Sequence, residues 1–403
     1  VGLGPEVRFL GDAAPPDLAA REERNRQRAK EAMPEAWVAP QHYLALSGGG
    51  PFGAFGAGLL VGWSDHGDRP EFTIVTGISA GALIAPFAFL GPAYDEQLAA
   101  VFTRYQTSDL IERRGLFEIL TGDAIADTSG LLALIGEHVD ERAIARIAEE
   151  GRRGRQLWIG TTNLDLARPV VWDVTAIAAS DHPDRAQLIH KILLASASIP
   201  GAFPPVYFDV EAGGRRYDEL HVDGGITSPA FLYPAAVRFG DVLRAELATA
   251  RPVVYVIANM QLVPAVDPVE PPSLIQIATR SILNMIRTQT IGSIYSIFLG
   301  AQRDGLDFNL IYIPEDFDEK PDEPFDEPFM TALFERGLTM GRAGIPWVKT
   351  PIDLAPLAVA KPAALSETVR GPPPPPSARA VRGRSRRRDS AGHVLARRDP
   401  DML

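Results

Sequence analysis

The chain has no cysteine and only seven histidines among its 403 residues. The first absence excludes disulfides, a thiol nucleophile and cysteine-type zinc sites together, while leaving the redox compartment open. The second leaves few positions from which an imidazole base could act. No run approaches the roughly 18 apolar residues that a membrane-spanning helix needs, so the folded chain is expected to be soluble or peripheral. Positive charge is also short: 40 Lys and Arg stand against 51 Asp and Glu, a net charge of −11. That sign repels phosphate and gives no general nucleic-acid footprint, so no nucleic-acid partner is expected. The charge is uneven. From Lys361 onward ten Lys and Arg stand against four Asp and Glu, so this +6 tail follows a body of −17.

With 46% hydrophobic residues, the chain can bury a large core. Three regions are expected. Residues 1–40 read as an N-terminal extension, Gly/Pro-rich to residue 16 and then a charged helix at 17–32. Residues 41–345 read as the folded domain, and residues 346–403 as a Pro/Arg-rich disordered tail. The domain's predicted strands are 42–46, 72–76, 156–163, 169–174, 216–223, 252–259 and 307–313. Helical patterns fall at 80–90, 94–105, 129–149, 184–195, 274–300 and 329–341. Short apolar strands alternating with helices indicate an α/β fold with a mostly parallel sheet covered on both faces. A proline-rich connector at 261–273 and an acidic loop at 314–328 interrupt the pattern. The acidic loop is read as a solvated connection, and it lacks the spacing of a calcium loop.

Ser47 to Gly56, SGGGPFGAFG, follows the first strand of the domain and contains Gly48, Gly50 and Gly53 in G-x-G-x-x-G spacing. A dinucleotide site would also need an acidic residue at the end of the next strand, but that strand ends in Gly77. A phosphate loop would need Lys-Ser/Thr after the glycines, and none follows. The next motif, TGISAGAL from Thr76 to Leu83, sets Ser79 in G-x-S-x-G between a strand and a helix. A nucleophilic serine needs such a sharp turn, with small neighbours at Gly77, Ala80 and Gly81. The amides of Gly48, Gly49 and Gly50 are then candidates for holding an oxyanion. For the base, His42 and His66 precede the serine, His393 lies in the tail, and His138, His182, His190 and His221 stand in helical, loop or strand contexts without a turn signature. Asp223, ending a strand in HVDGGITSP before Gly224 and Gly225, is the alternative, and a strand-ending Asp-Gly turn is its bland reading.

GGGPFG, GISAG and DGG in this order, with ASASIPGAFPPV ahead of the aspartate, resemble the patatin-like phospholipases. The resemblance implies a three-layer α/β/α sandwich and a Ser–Asp dyad, with Ser79 as nucleophile and Asp223 as base. Gly48, Gly49 and Gly50 would form the oxyanion hole, with Gly53, Gly77, Gly81, Gly224 and Gly225 as supporting motif positions. It implies a lipid or phospholipid substrate, phospholipase A or lysophospholipase activity, and neither metal nor organic cofactor. One departure is Phe52, where many members have a basic residue. GAFGAGLL is similar to a bacterial branch whose members often carry leaders, so with Val1 as the first residue an envelope location is the expectation. Phe52, Phe55, Leu59, Leu83, Phe87 and Phe203 are candidates for the acyl pocket. The apolar helix at 274–300 is read as core, with a lid or a peripheral membrane contact as the alternative. Two other functions stay open: a non-catalytic lipid-binding protein of the same fold, and a Ser-His-Asp esterase with His221 as its first candidate.

Overall fold

The computed structural model describes residues 2–15, 41–110, 112–113, 126–200, 202–234, 251–263 and 274–351, with isolated positions at 20–31 and at 237. Most of the charged helix expected at 17–32, the connector from residue 264, and the tail from residue 352 lie outside the described residues. Residues 1–354 form one compact unit.

Nine strands form one sheet. In chain order they are β1 (Arg8–Leu10), β2 (His42–Leu46), β3 (Ile74–Gly77), β4 (Gln156–Asn163), β5 (Arg168–Asp173), β6 (Val206–Ala212), β7 (Arg215–Asp223), β8 (Val253–Ala258) and β9 (Asp307–Tyr312). The helices used below are α1 (Gly53–His66), α2 (Ala80–Leu90), α3 (Asp95–Thr103), α4 (Ser129–His138), α5 (Glu141–Arg152), α6 (Val174–Ala178), α7 (Arg185–Ala197), α8 (Leu274–Asp304) and α9 (Glu327–Arg342). The sheet order is β1-β5-β4-β3-β2-β8-β9, and β6 and β7 join as a hairpin through β4. The run β9-β8-β2-β3-β4 is parallel, whereas β5, β1 and the hairpin pair antiparallel.

Both faces of the sheet are covered, which is why its strands read as continuous apolar runs. Leu44, Leu46, Val75, Leu157 and Ile159 point into one core, which contains residues of α1, α2, α7 and α9. Their alternate neighbours Tyr43, Ala45, Ile74 and Trp158 point into a second core with Ile294, Ile297 and Ala301 of α8. The fold is therefore a mixed α/β sandwich around a mostly parallel sheet.

Three local differences from the sequence reading have physical causes. The single helix expected at 129–149 is two, because the Asp140 carboxylate caps α5 by accepting the Ala143 amide at 2.8 Å. Helix α9 begins at Glu327, ahead of the expected 329. Asp326 caps it, and Pro328 fits its first turn, where no amide is needed. Strand β6 was not anticipated. It pairs with β7 across Gly213 and Gly214, both at positive φ (58° and 74°) as a tight hairpin turn requires.

The closest helix contact positions the first glycine loop. Four glycines in α1 weaken it intrinsically, but two of them let α9 approach backbone to backbone. A Cβ on Gly58 would stand 2.0 Å from the Phe334 carbonyl oxygen, and one on Gly62 would stand 2.2 Å from that of Leu338. Gly337 and Gly341 make the reciprocal approach to Phe55 and Leu59. Gly58→Ala is therefore expected to cost about 2–3 kcal/mol, by forcing the helices apart. Urea unfolding of the variant against the parent protein measures this loss, and an unchanged midpoint would contradict the packing described.

Candidate functional site

Strands β3 and β7 reach β4 from opposite ends. The last residue of β3, Gly77, pairs with Ile159 in parallel, and the last residue of β7, Asp223, pairs with Thr161 in antiparallel. Their carboxyl ends thus meet over Gly160. A Cβ on Gly160 would lie 2.3 Å from Ile78 Cδ1, and one on Gly224 would lie 2.5 Å from the Gly160 carbonyl oxygen. Two segments distant in sequence can turn toward each other here because the crossing residues are small.

Ser79 sits in this turn at φ 54°, ψ −124°, a region that serine avoids. Its amide donates to Ser196 Oγ at 3.0 Å, and that hydroxyl donates to the Gly160 carbonyl at 2.7 Å. The flanking glycines allow close approach. A Cβ on Gly81 would be 2.4 Å from the Leu46 carbonyl oxygen, and one on Gly77 would be 2.4 Å from that of Gly81. Ser79 is also the N-cap of α2, whose first amides and positive dipole end face the turn.

Asp223 lies beside it, 5% exposed against 6% for Ser79. Its carboxyl accepts the Gly225 amide at 2.7 Å, and the Ser79 hydroxyl is near enough to favour its ionised form. Its amide donates to the Ser198 carbonyl at 2.9 Å, and its carbonyl accepts from Thr162 Oγ1 at 3.0 Å. Burial raises the carboxyl pKa from 3.8 to about 6, against the opposing pull of the Ser79 hydroxyl and the Gly225 amide.

The first glycine loop completes one wall. A Cβ on Gly48 would lie 3.1 Å from Ser79 Cβ, and one on Gly53 would lie 2.8 Å from Ala80 Cβ. The three candidate amides are not equivalent. Gly48 already donates to the Pro229 carbonyl at 3.1 Å, which removes it from the expected set in this conformation. The amides of Gly49 and Gly50 have no acceptor among the described residues, and Gly50 sits at φ 56° facing open space. Sequence reasoning missed the clamp behind them. Buried Asn259 donates its amide to Ser47 Oγ and its Nδ2 to the Ser47 carbonyl, each at 2.8 Å, and its Oδ1 accepts the Gly56 amide at 3.1 Å. The available signal was a polar residue just past the carboxyl end of a parallel strand, where α/β sites gather.

Ser79 stands at the junction of two cavities. A cleft of about 330 Å³ contains Ser79, Asp223, Gly49 and Gly50, with Leu283, Ile286, Arg287 and Thr290 of α8 along one side. A narrow apolar slot of about 40 Å³ opens from the other side of Ser79, between Leu83, Phe102, Leu134 and Phe203. Of the six expected acyl-pocket residues, Leu83 and Phe203 line the slot and Phe52 lines the cleft. Phe55, Leu59 and Phe87 belong to the core. The Phe52 ring meets Phe329 edge-on, so the cleft's cation comes from α8 and not from the glycine motif.

Residues 44–236 match the family model described as patatin-like phospholipase. The chain carries a patatin-like phospholipase domain. It is accordingly a lipid acyl hydrolase acting on ester bonds. No curated protein sequence matches the chain. Among solved structures, VipD from Legionella pneumophila aligns at 11% identity and a TM-score of 0.35, over 75% of this chain and 67% of that one. Human GIVD cytosolic phospholipase A2 aligns at 11% identity and a TM-score of 0.29, over 79% and 55%.

The histidine-based alternative for this phospholipase domain meets a specific obstacle. Among the described residues, no histidine lines the cleft or the slot. His221 is fully buried between Trp172 and Phe208. Its Nδ1 pairs with Thr161 Oγ1 at 2.9 Å and its Nε2 with Glu219 at 3.3 Å. Because Thr161 Oγ1 already accepts the Trp172 indole N–H at 2.8 Å, its own proton goes to Nδ1, and Nε2–H faces the carboxylate. Burial lowers its pKa to about 4 despite Glu219, so the ring is a satisfied neutral core group. His393 lies outside the described residues.

The raised Asp223 pKa has a consequence for stability. Between the unfolded value of 3.8 and about 6 the native carboxyl is protonated while the unfolded one is ionised, so stability falls as pH rises through that window. Asp223→Asn removes this loss. Thermal melts should be similar for the two proteins at about pH 4. At pH 8 the variant should be the more stable, by up to about 3 kcal/mol at roughly 1.4 kcal/mol per pH unit. A pH-independent difference would contradict the burial argument.

Proposed function

We propose that Ser79 and Asp223 act as a dyad that hydrolyses acyl esters of phospholipids or lysophospholipids. The observation that carries this reading is the juxtaposition of a strained, elbow-mounted serine and a buried carboxylate in one cleft. Asp223 takes the hydroxyl proton as Ser79 Oγ attacks the ester carbonyl carbon. The carbonyl oxygen becomes an oxyanion facing the Gly49 and Gly50 amides and the start of α2, with Gly48 helping by lacking a side chain. Collapse breaks the ester C–O bond, and Asp223 returns the proton to the departing alcohol. Asp223 then takes a proton from water, whose oxygen attacks the acyl-serine; the acyl C–Oγ bond breaks, Asp223 returns the proton to Ser79 Oγ, and the fatty acid leaves. The acyl chain occupies the apolar slot and the glycerol side the wider cleft.

A fluorophosphonate probe tests the dyad. Wild type should acquire one adduct, on Ser79, at a rate that rises with pH through about 6 as the base ionises. Ser79→Ala should acquire none, and Asp223→Asn should react about 10²–10⁴-fold more slowly. Full labelling of a folded Ser79→Ala protein would reject the mechanism.

The membrane is the second element of the reading. No helix among the described residues is long and apolar enough to cross a bilayer, but α8 divides in two. Ile294, Ile297 and Ala301 are core, whereas Ile282, Leu283 and Met285 are 52%, 54% and 70% exposed beside the cleft mouth, near exposed Ile226. These side chains enter the lipid interface, so that an acyl ester passes from bilayer to cleft without crossing water. Sedimentation with phospholipid vesicles should show binding that weakens at least tenfold in Ile282→Asp/Met285→Asp. Equal binding by the two proteins would remove this element and leave the dyad untouched.

A further inference from the structure

Most well-buried arginines of this protein sit beside a carboxylate. Arg69 pairs with Asp95 and Arg155 with Glu150. Arg287 is different. It lines the cleft that holds Ser79 and is half buried, and the groups acting on it are the surrounding low-polarity wall and a second guanidinium, Arg280. It has no hydrogen bond or ion pair to a carboxylate among the described residues. Among the described residues lining the cleft, the other charged side chain is Asp223, the base of the proposed reaction.

Helical spacing explains the pairing. Arg280, Leu283, Arg287 and Thr290 fall at intervals of three and four along one stripe of α8, and the last three line the cleft. A guanidinium without a carboxylate beside an apolar wall is unfavourable unless an anion joins it, and the charge of Arg280 acts against Arg287 further. Because the chain to residue 360 is strongly acidic, this cationic spot is a local exception in the field that a substrate meets.

We propose that Arg287 forms a phosphate subsite that receives the headgroup phosphate of a glycerolipid whose acyl ester lies at Ser79. A guanidinium fork matches phosphate oxygens in pairs, which a lysine ammonium does not. Phosphate and acyl ester hang from the same glycerol unit, so a cleft holding both groups orients the ester as it binds the headgroup. This subsite rests on the hydrolase reading, but its binding step does not need turnover.

Calorimetry on the Ser79→Ala protein separates the two. Dodecyl phosphate should bind it, and Arg287→Met in the same background should weaken that binding at least tenfold, with 1-O-dodecylglycerol as the uncharged probe. In the catalytically intact protein, Arg287→Met should lower the ratio of kcat/KM for phosphatidylglycerol to that for diacylglycerol by about 100-fold in mixed micelles. Arg287→Lys should restore part of the ratio. Equal weakening of the charged and uncharged probes would overturn the proposal by showing a merely structural role. Inorganic phosphate binding as tightly as dodecyl phosphate would overturn the lipid assignment, since the site would then hold a free ion. Arg287-dependent binding of dodecyl phosphate in a protein that cleaves no ester would sustain the subsite while removing the hydrolase reading.

Discussion

A serine at φ 54° does not hold that conformation by its own preference; the cost of such a residue is of order 1–3 kcal/mol. The surroundings impose it. Residues 196–198, at the end of α7, act on both members of the site: the Ser196 hydroxyl fixes the Ser79 amide, and the Ser198 carbonyl fixes the Asp223 amide. One short stretch therefore sets the relative position of two groups 144 residues apart in the chain. It does so at the point where two strands end against a third, so the geometry of the site is inherited from strand register and not from loop conformation.

The electrostatics follow from the same closeness. With little water around it, Asp223 keeps a pKa near neutrality, where a carboxylate is a far better proton acceptor than in solution. The nearby core uses a different solution to buried polarity. His221, Thr161, Trp172 and Glu219 close a hydrogen-bonded chain that leaves the imidazole neutral and fully engaged. Two residues apart on β7, a histidine and an aspartate thus have separate duties. The former completes a polar network within the fold, and the latter faces the cleft.

Much of this was legible before the structure. Long apolar runs with small-residue motifs at their ends announced the parallel strands, because a doubly covered sheet has no polar face to break the pattern. Ser79 and Asp223 stood out because glycines surround them. The β6 strand escaped because its alternation, with Val206 and Phe208 inward and Tyr207 outward, was hidden behind a proline-rich motif. Asn259 and Ser196 escaped for another reason. Each makes a hydrogen bond to a residue more than a hundred positions away, and nothing in the local pattern announces such a partner. The fate of the Gly48 amide depended likewise on Pro229, a neighbour brought in by the fold.

The stretch that matches the family model ends at residue 236, yet the sheet continues past it. Strand β2, which carries the glycine loop, lies between β3 and β8, and β8 belongs to the part beyond the match. A protein cut at the end of the matched stretch would leave β2 as an open sheet edge, strip away Asn259, and uncover the glycine face of α1 that α9 occupies. The recognisable signature and the cooperative folding unit are thus different lengths of the same polypeptide. Any excised fragment meant to retain the cleft has to be drawn by the second, reaching at least through α9.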